Sequence, residues 1–457
     1  MLTYFAIYLL AFAQNETQNT TEELVNACAA QANKVEAAIA AGEITGLDAI
    51  DAWADVAWSW EQCAQREDAP SEVWVQWSES LLNANNASNA NRIIENGIEI
   101  FPKDSKLLEQ KARILMSQAR ESQQLGNQEK YSTLKQEAIT TLEIAHENNP
   151  KAASPLLRLG EISWTDYFAK KDFSDKAKSE ALAPWLKAAA VDPEGVDSGF
   201  VYNWLQSESI AVLNLIIEKD EKNAFHFWYR GMAYYFKGPD FWSNIYEDFN
   251  KVLELNPNFK NAYFYLADGA FQRGVMQAGL GEDSKAKKAY NFSAKYYGLY
   301  LKDFGSSHAA VHIQANSLRQ ECERMNFLAS FTDYEHAIMI LEWATQNDDS
   351  YLDVWNNLAF LYREVGEIEG SLAAYQHALS IAPNDPQIMN DLAVIYHYYL
   401  KTNDEEALKL YEQAIIRAEE ILANETKGNE DLSLVRIALR DARNNLAKLK
   451  KGNRRNG

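Results

Sequence analysis

Residues 352–386 read LDVWNNLAFLYREVGEIEGSLAAYQHALSIAPNDP, and the spacing of their apolar positions decides the fold. Trp355, Leu358, Ala359 and Tyr362 recur along one helical face, as do Ser371, Tyr375 and Ala378 further on. Gly366 between them predicts a tight turn. Pro383 predicts a stop, because proline lacks the N–H that a continuing helix needs. The stretch is therefore expected to form a helical hairpin. Ala359 and Ala378 are small enough to let its helices approach, while Trp355, Tyr362 and Tyr375 fill the space around them.

The second helix of this hairpin follows a rule that returns elsewhere. A small residue is followed four positions later by a large apolar one, three positions after that by another small one, and five positions after that by proline. Ala90/Ile94/Gly97/Pro102, Ala138/Leu142/Ala145/Pro150 and Ala181/Trp185/Ala188/Pro193 obey it. Ile245/Phe249/Val252/Pro257 obeys it more loosely. Ala337/Leu341/Ala344 and Ala407/Tyr411/Ala414 keep the helical part, with Asp349 and Glu419 in the proline's place. Candidate first helices lie upstream, marked by Trp74/Trp77/Ser78/Leu81, Leu156/Leu159/Gly160/Ser163, Phe227/Gly231/Tyr234, Tyr263/Leu266/Ala267/Ala270 and Met389/Leu392/Ala393/Tyr396. Hairpins repeated in tandem bury their faces against one another.

This pattern resembles the tetratricopeptide repeat (TPR) family, whose signature runs W-x2-L-G-x2-Y, then alanine and aromatic positions, then proline. Ala359 and Ser371 depart from it where the family prefers glycine and alanine, and both are small. The resemblance spans roughly residues 71–420 and is weak from Glu194 to Asp349. It implies an all-α right-handed superhelical solenoid of TPR-like hairpins, with about nine repeats and a divergent middle. Residues 14–70 read as an N-terminal helical pair, broken at Gly42 and Gly46. Residues 425–457 read as a basic capping helix and tail, with Arg436, Arg440, Arg443, Lys448, Lys450 and Lys451 on an otherwise acidic chain. An insertion around Gln118 to Lys135 predicts a longer hairpin there, and residues 194–223 a shortened one.

The chain has 457 residues, 47% of them hydrophobic, so its core needs no disulfide. A net charge of −21 argues against nucleic acid, whose phosphates need basic surface. Cys28, Cys63 and Cys322 form no C-x-x-C, so buried thiols are expected, with a Cys28–Cys63 bridge as the alternative. The apolar run from Tyr4 to Ala13, ending Ala11-Phe12-Ala13, predicts a signal peptide over residues 1–13, with cleavage before Gln14 and a periplasmic or secreted product. No basic residue precedes that run. A misread N-terminus would make the protein cytoplasmic. The run is too short to span a bilayer, and no other transmembrane segment is expected.

Little in the sequence points to chemistry. Gly274, Gly279 and Gly281 near Lys285 do not match a phosphate-binding loop, in which lysine and a hydroxyl follow the second glycine directly. His308 and His312 stand one helical turn apart, but no third metal ligand is placed. No catalytic residue, metal or cofactor is expected. The TPR resemblance instead implies a non-catalytic scaffold or adaptor, holding a protein or peptide in a concave groove lined by first helices. Carried onto this chain, the groove set is Trp164, Phe225, Trp228, Tyr235, Phe236, Phe264, Asp268 and Phe271. Toward the C-terminus Asp353, Asn356, Phe360, Arg363, Asn390, Val394 and His397 take the equivalent places. The competing reading has the aromatics filling the core of longer helices. An alternative function is a periplasmic ligand-binding accessory of a solute transport system.

Overall fold

The computed structural model describes residues 20–304, 318–401, 403–423 and 432–456. The apolar leader and the His308/His312 pair lie outside the described residues. Those residues fold into helices and connecting turns, without a strand among them, in two compact units, Met1–Tyr229 and Arg230–Gly457.

The first unit holds α1 (Thr21–Ala40), α2 (Gly46–Ala64), α3 (Ser71–Asn83), α4 (Ala87–Ile100), α5 (Ser105–Gln124), α6 (Gln128–Asn148), α7 (Ser154–Lys170) and α8 (Asp175–Val191). A short pair follows, α9 (Ser198–Leu205) and α10 (Ile210–Ile217), and then the first turns of α11 (Ala224–Lys237). The second unit takes the rest of α11, then α12 (Trp242–Leu255), α13 (Lys260–Gly279), α14 (Asp283–Phe304), α15 (Leu318–Ala329) and α16 (Tyr334–Asn347). It continues with α17 (Leu352–Val365), α18 (Ile368–Ile381), α19 (Pro386–Val394), α20 (Asp404–Ala423) and the terminal α21 (Ser433–Asn456). Odd-numbered helices from α3 to α19 are the first of each hairpin and even-numbered ones the second.

The repeated proline acts where the sequence places it. Helices α4, α6, α8, α12 and α18 each end two residues before Pro102, Pro150, Pro193, Pro257 and Pro383. The residue between, from Phe101 to Ala382, leaves the helix at φ between −149° and −123° and ψ between 67° and 90°. That is the extended bias proline imposes on its predecessor. Asp348, which precedes Asp349 rather than proline, takes φ −141° and ψ 90° at the end of α16. Stacking of the next hairpin therefore demands the bend, and proline only favours it.

The small positions work by close approach. A Cβ added to Gly160 on α7 would come within 2.7 Å of the Trp185 indole on α8. One added to Gly231 would come within 2.7 Å of Phe249. Ser371 does more than fit. Its hydroxyl donates to the Ala359 carbonyl at 2.8 Å, satisfying a buried acceptor that alanine would leave to its own helix. Gly366 takes φ +87° at the turn, a conformation that penalises side chains with a Cβ. At the far end α21 packs on α19 and α20, and its Arg443 and Lys450 reach Glu419 and Glu412.

Candidate protein-binding grooves

The longest hairpin of the first unit builds a groove. Helices α5 and α6 have 20 and 21 residues, against 13 and 14 in α3 and α4. The added turns supply Arg120, Gln123, Tyr131 and Lys135 to the wall of a cavity of about 670 Å³. From α5, Glu109, Arg113, Met116 and Arg120 point into it, a run at helical spacing. Helix α7 adds Arg158, Glu161, Ile162, Thr165 and Asp166, while Ala112, Met116 and Ile162 give it an apolar floor.

Its charges are mostly fixed in pairs. Arg113 grips both oxygens of Glu79 on α3, at 2.7 and 3.0 Å, in the planar fork that guanidinium favours. Lys135 holds Asp166 at 2.9 and 3.0 Å, and Arg158 holds Glu161 at 2.6 Å. Burial pushes the Glu161 carboxyl above the usual range, against the pull of Arg158, Arg120 and Arg113. Glu109 is likewise pushed up by burial, and Ser154 and Ser105 only partly offset it. Arg120 is exposed and forms no ion pair among the described residues. The groove thus presents an exposed guanidinium that acts on Glu161 without forming an ion pair with it, on a chain of strongly negative net charge.

In the second unit the first helices α11, α13 and α15 are tied by one buried network. Asp268 on α13 accepts from Tyr235 of α11, from Gln272 at 2.7 Å and from Arg324 of α15 at 2.8 Å. Arg324 also donates to the Tyr297 hydroxyl at 2.7 Å and to Glu321, with the Phe271 ring 4.9 Å from its guanidinium carbon. Its Nε finds no hydrogen-bond partner. Burial pushes the Tyr235 hydroxyl up, and the Asp268 charge adds to the effect. With three donors on it, the Asp268 carboxylate is occupied in holding helices together.

The eight residues expected in a groove therefore separate. Trp164 is a correction. It is 5% exposed, its indole donates to the Trp204 carbonyl at 3.0 Å, and its ring lies 5.2 Å from Tyr167 within the core of the first unit. Asp268 is buried in the network, with Tyr235 half-buried beside it. Phe264 and Phe271 are half-buried against the main core of the second unit, Phe264 with its ring 5.9 Å from those of Tyr297 and Tyr300. Trp228 is half-buried in the first unit. Phe225 and Phe236 stay open, at 53% and 60% exposure.

The α5–α7 groove was missed in sequence because its signal is polar. The run Glu109, Arg113, Met116, Arg120 looks like an ordinary solvated face, and only the inserted length of α5 and α6 marks it. Among the described residues no three His, Cys, Asp or Glu side chains are placed to hold a metal, and no helix is long and apolar enough to cross a membrane.

The hairpin from which the sequence was first read, residues 352–385, matches the tetratricopeptide repeat model. That hairpin is a tetratricopeptide repeat. Three solved structures to which the chain is similar are remote in sequence. The C-terminal part of a TPR repeat-containing protein from Cytophaga hutchinsonii is 13% identical, over 74% of this chain and 94% of that one, at a TM-score of 0.30. YrrB, described as a TPR protein with an unusual peptide-binding site, is 14% identical over 45% and 91%, at 0.24. The APC/C hetero-tetramer Cut9-Hcn1 is 12% identical over 89% and 95%, at 0.22. No curated protein matches the chain in sequence.

Proposed function

We propose that this chain is a non-catalytic TPR scaffold that holds a segment of another protein in the α5–α7 groove, outside the cytoplasm. A TPR fold suggests a protein-interaction scaffold, and the observation that supports this groove is its lining. Fixed ion pairs offer preset donors and acceptors, Met116 and Ile162 offer an apolar floor, and Arg120 offers an exposed charge that forms no ion pair among the described residues. A peptide bearing a carboxylate gains a charge-assisted hydrogen bond there without breaking an existing pair. The exposed Phe225 and Phe236, each in its own unit, are further apolar contact points of the kind that dominate interfaces.

The test is selection of binders from a random peptide library on the full chain, repeated on Arg120→Glu and Met116→Glu variants. Acidic peptides should emerge from the parent, with affinity falling roughly tenfold or more in either variant, the scale of one charge-assisted bond. Peptides that bind parent and both variants equally would sink the groove. A second reading, a ligand-binding accessory of a solute transport system, draws on the cavity's size, since about 670 Å³ lies within the usual span for small ligands. Selective stabilisation by small dicarboxylates, with no peptide selected, would favour it.

Export rests on the apolar run and the Ala11-Phe12-Ala13 ending. Protein recovered from its own host should begin at or near Gln14 by mass spectrometry. An intact Met1 on the recovered chain would overturn export.

A further inference from the structure

Cys28 on α1 and Cys63 near the end of α2 point at each other inside the first hairpin. Their sulfurs are 2.8 Å apart, and both residues are at 0% exposure. That separation is well inside the contact distance of two unbonded sulfurs, and about 0.8 Å longer than a disulfide bond. Val35, Val56, Trp60 and Val73 belong to the same buried apolar cluster as the two cysteines. The Cys63 sulfur and burial together push the Cys28 thiol up, so a thiolate is disfavoured at that sulfur once the hairpin is closed. Cys322 sits in the second unit, its Sγ 3.7 Å from the Ala344 carbonyl.

We propose that Cys28 and Cys63 join as a disulfide in the mature protein, a covalent clamp across the first hairpin, while Cys322 stays a thiol. The position gives the bond a purpose. Of the 20 residues of α1 only Leu24, Cys28 and Val35 are buried, so it is among the segments that open most readily. A bond across 35 residues of chain restricts the open state and returns α1 to its place. The oxidant is a disulfide of the thiol-exchange class, such as oxidised glutathione or an exchange protein. The Cys63 thiolate attacks one of its sulfurs, and a first thiolate leaves. The Cys28 thiolate then attacks Cys63 in the mixed disulfide, expelling the second. One S–S bond forms as one breaks, two electrons pass to the oxidant, and both thiol protons end on its two sulfurs. Since both sulfurs are sealed from solvent, exchange takes place before α1 docks or while it is open.

The test uses the full chain, refolded in a glutathione redox buffer and then alkylated in denaturant without reductant. Peptide mapping should find Cys28 linked to Cys63 and Cys322 alkylated, in a chain two hydrogens lighter than the reduced form. Three alkylated cysteines would overturn the proposal, as would any linkage through Cys322. Hydrogen exchange on the folded protein supplies the second readout. Reduction should accelerate exchange in α1 by roughly tenfold or more while α17 and α18 keep their rates, as expected for local opening. Unchanged exchange in α1 would remove the clamp. Neither measurement involves the α5–α7 groove, so the outcome is separate from peptide binding. A disulfide persists in an oxidising compartment, so the linked form in protein from its own host would also support export.

Discussion

Trp185→Ala is expected to destabilise the first unit by about 3–5 kcal/mol, the range for truncating a buried aromatic. The ring is fully buried, and it lies against the bare backbone of Gly160 on α7. Phe200 and Trp204 of the short pair pack on its other edges, with ring centroids 5.8 and 6.4 Å away. Removing it therefore opens a cavity at the meeting point of α7, α8 and α9. Its indole N–H has no hydrogen-bond partner, so the loss is one of packing alone. Trp185→Phe, which keeps an aromatic ring and drops that N–H, should cost less than half as much. Because each hairpin is stabilised chiefly by its neighbours, a single whole-chain midpoint averages over the array. Hydrogen exchange in α7 and α8 against urea is the direct measurement. Protection in Trp185→Ala equal to the parent's would mean that the small-large-small register of α8 is misread.

Arg324→Met is expected to cost a similar amount, about 3–5 kcal/mol, for a different reason. The methionine replaces much of the volume but leaves Asp268 and Glu321 as carboxylates in a largely buried site, with no cation between them. Arg324 and its two acid partners have side chains only 12–17% exposed, so water does not screen the loss. The pH dependence gives the sign. Burial pushes the Glu321 carboxyl up, and Arg324 is the main group opposing it. Without the arginine its folded pKa rises further above the unfolded value of about 4.3. The folded state then holds a proton that the unfolded state has released, so stability falls as pH rises through that window. The gap between variant and parent should widen from acid to neutral pH in urea titrations. Adding Glu321→Gln to Arg324→Met should narrow it. A gap independent of pH would show that the arginine acts only through packing on Phe271 and Tyr297.

These two sites show which parts of the molecule were legible in the chain alone. The α8 contact follows from Ala181, Trp185 and Ala188, because burial in a helical hairpin is periodic and periodicity survives in sequence. The same holds for the five proline-terminated helices and for the turn at Gly366. Length changes were legible too, since the insertion before Lys135 could only extend α5 and α6. The Tyr235–Asp268–Arg324 network was half visible. Asp268 stood out among aromatics, but its partner lies 56 residues further on, on another hairpin, and nothing local announces it.

What the sequence could not assign was the side of each aromatic. A Trp or Phe on a first helix has the same local pattern whether it faces a groove or a neighbouring hairpin. Trp164 turned inward because the short pair after Pro193 brings the Trp204 carbonyl within 3.0 Å of its indole. Phe236, on a helix of similar composition, meets no such cover and stays exposed. The α5–α7 groove arises from the opposite cause. Its lining is charged, which in sequence is indistinguishable from a solvated helix face, and it becomes a cavity only when α6 and α7 stand beside the lengthened α5. Helices and their order are set by contacts between near neighbours in the chain, which residue spacing records. Grooves and networks depend on which hairpin lies next in space and how far it reaches, and that is fixed only by the packed stack.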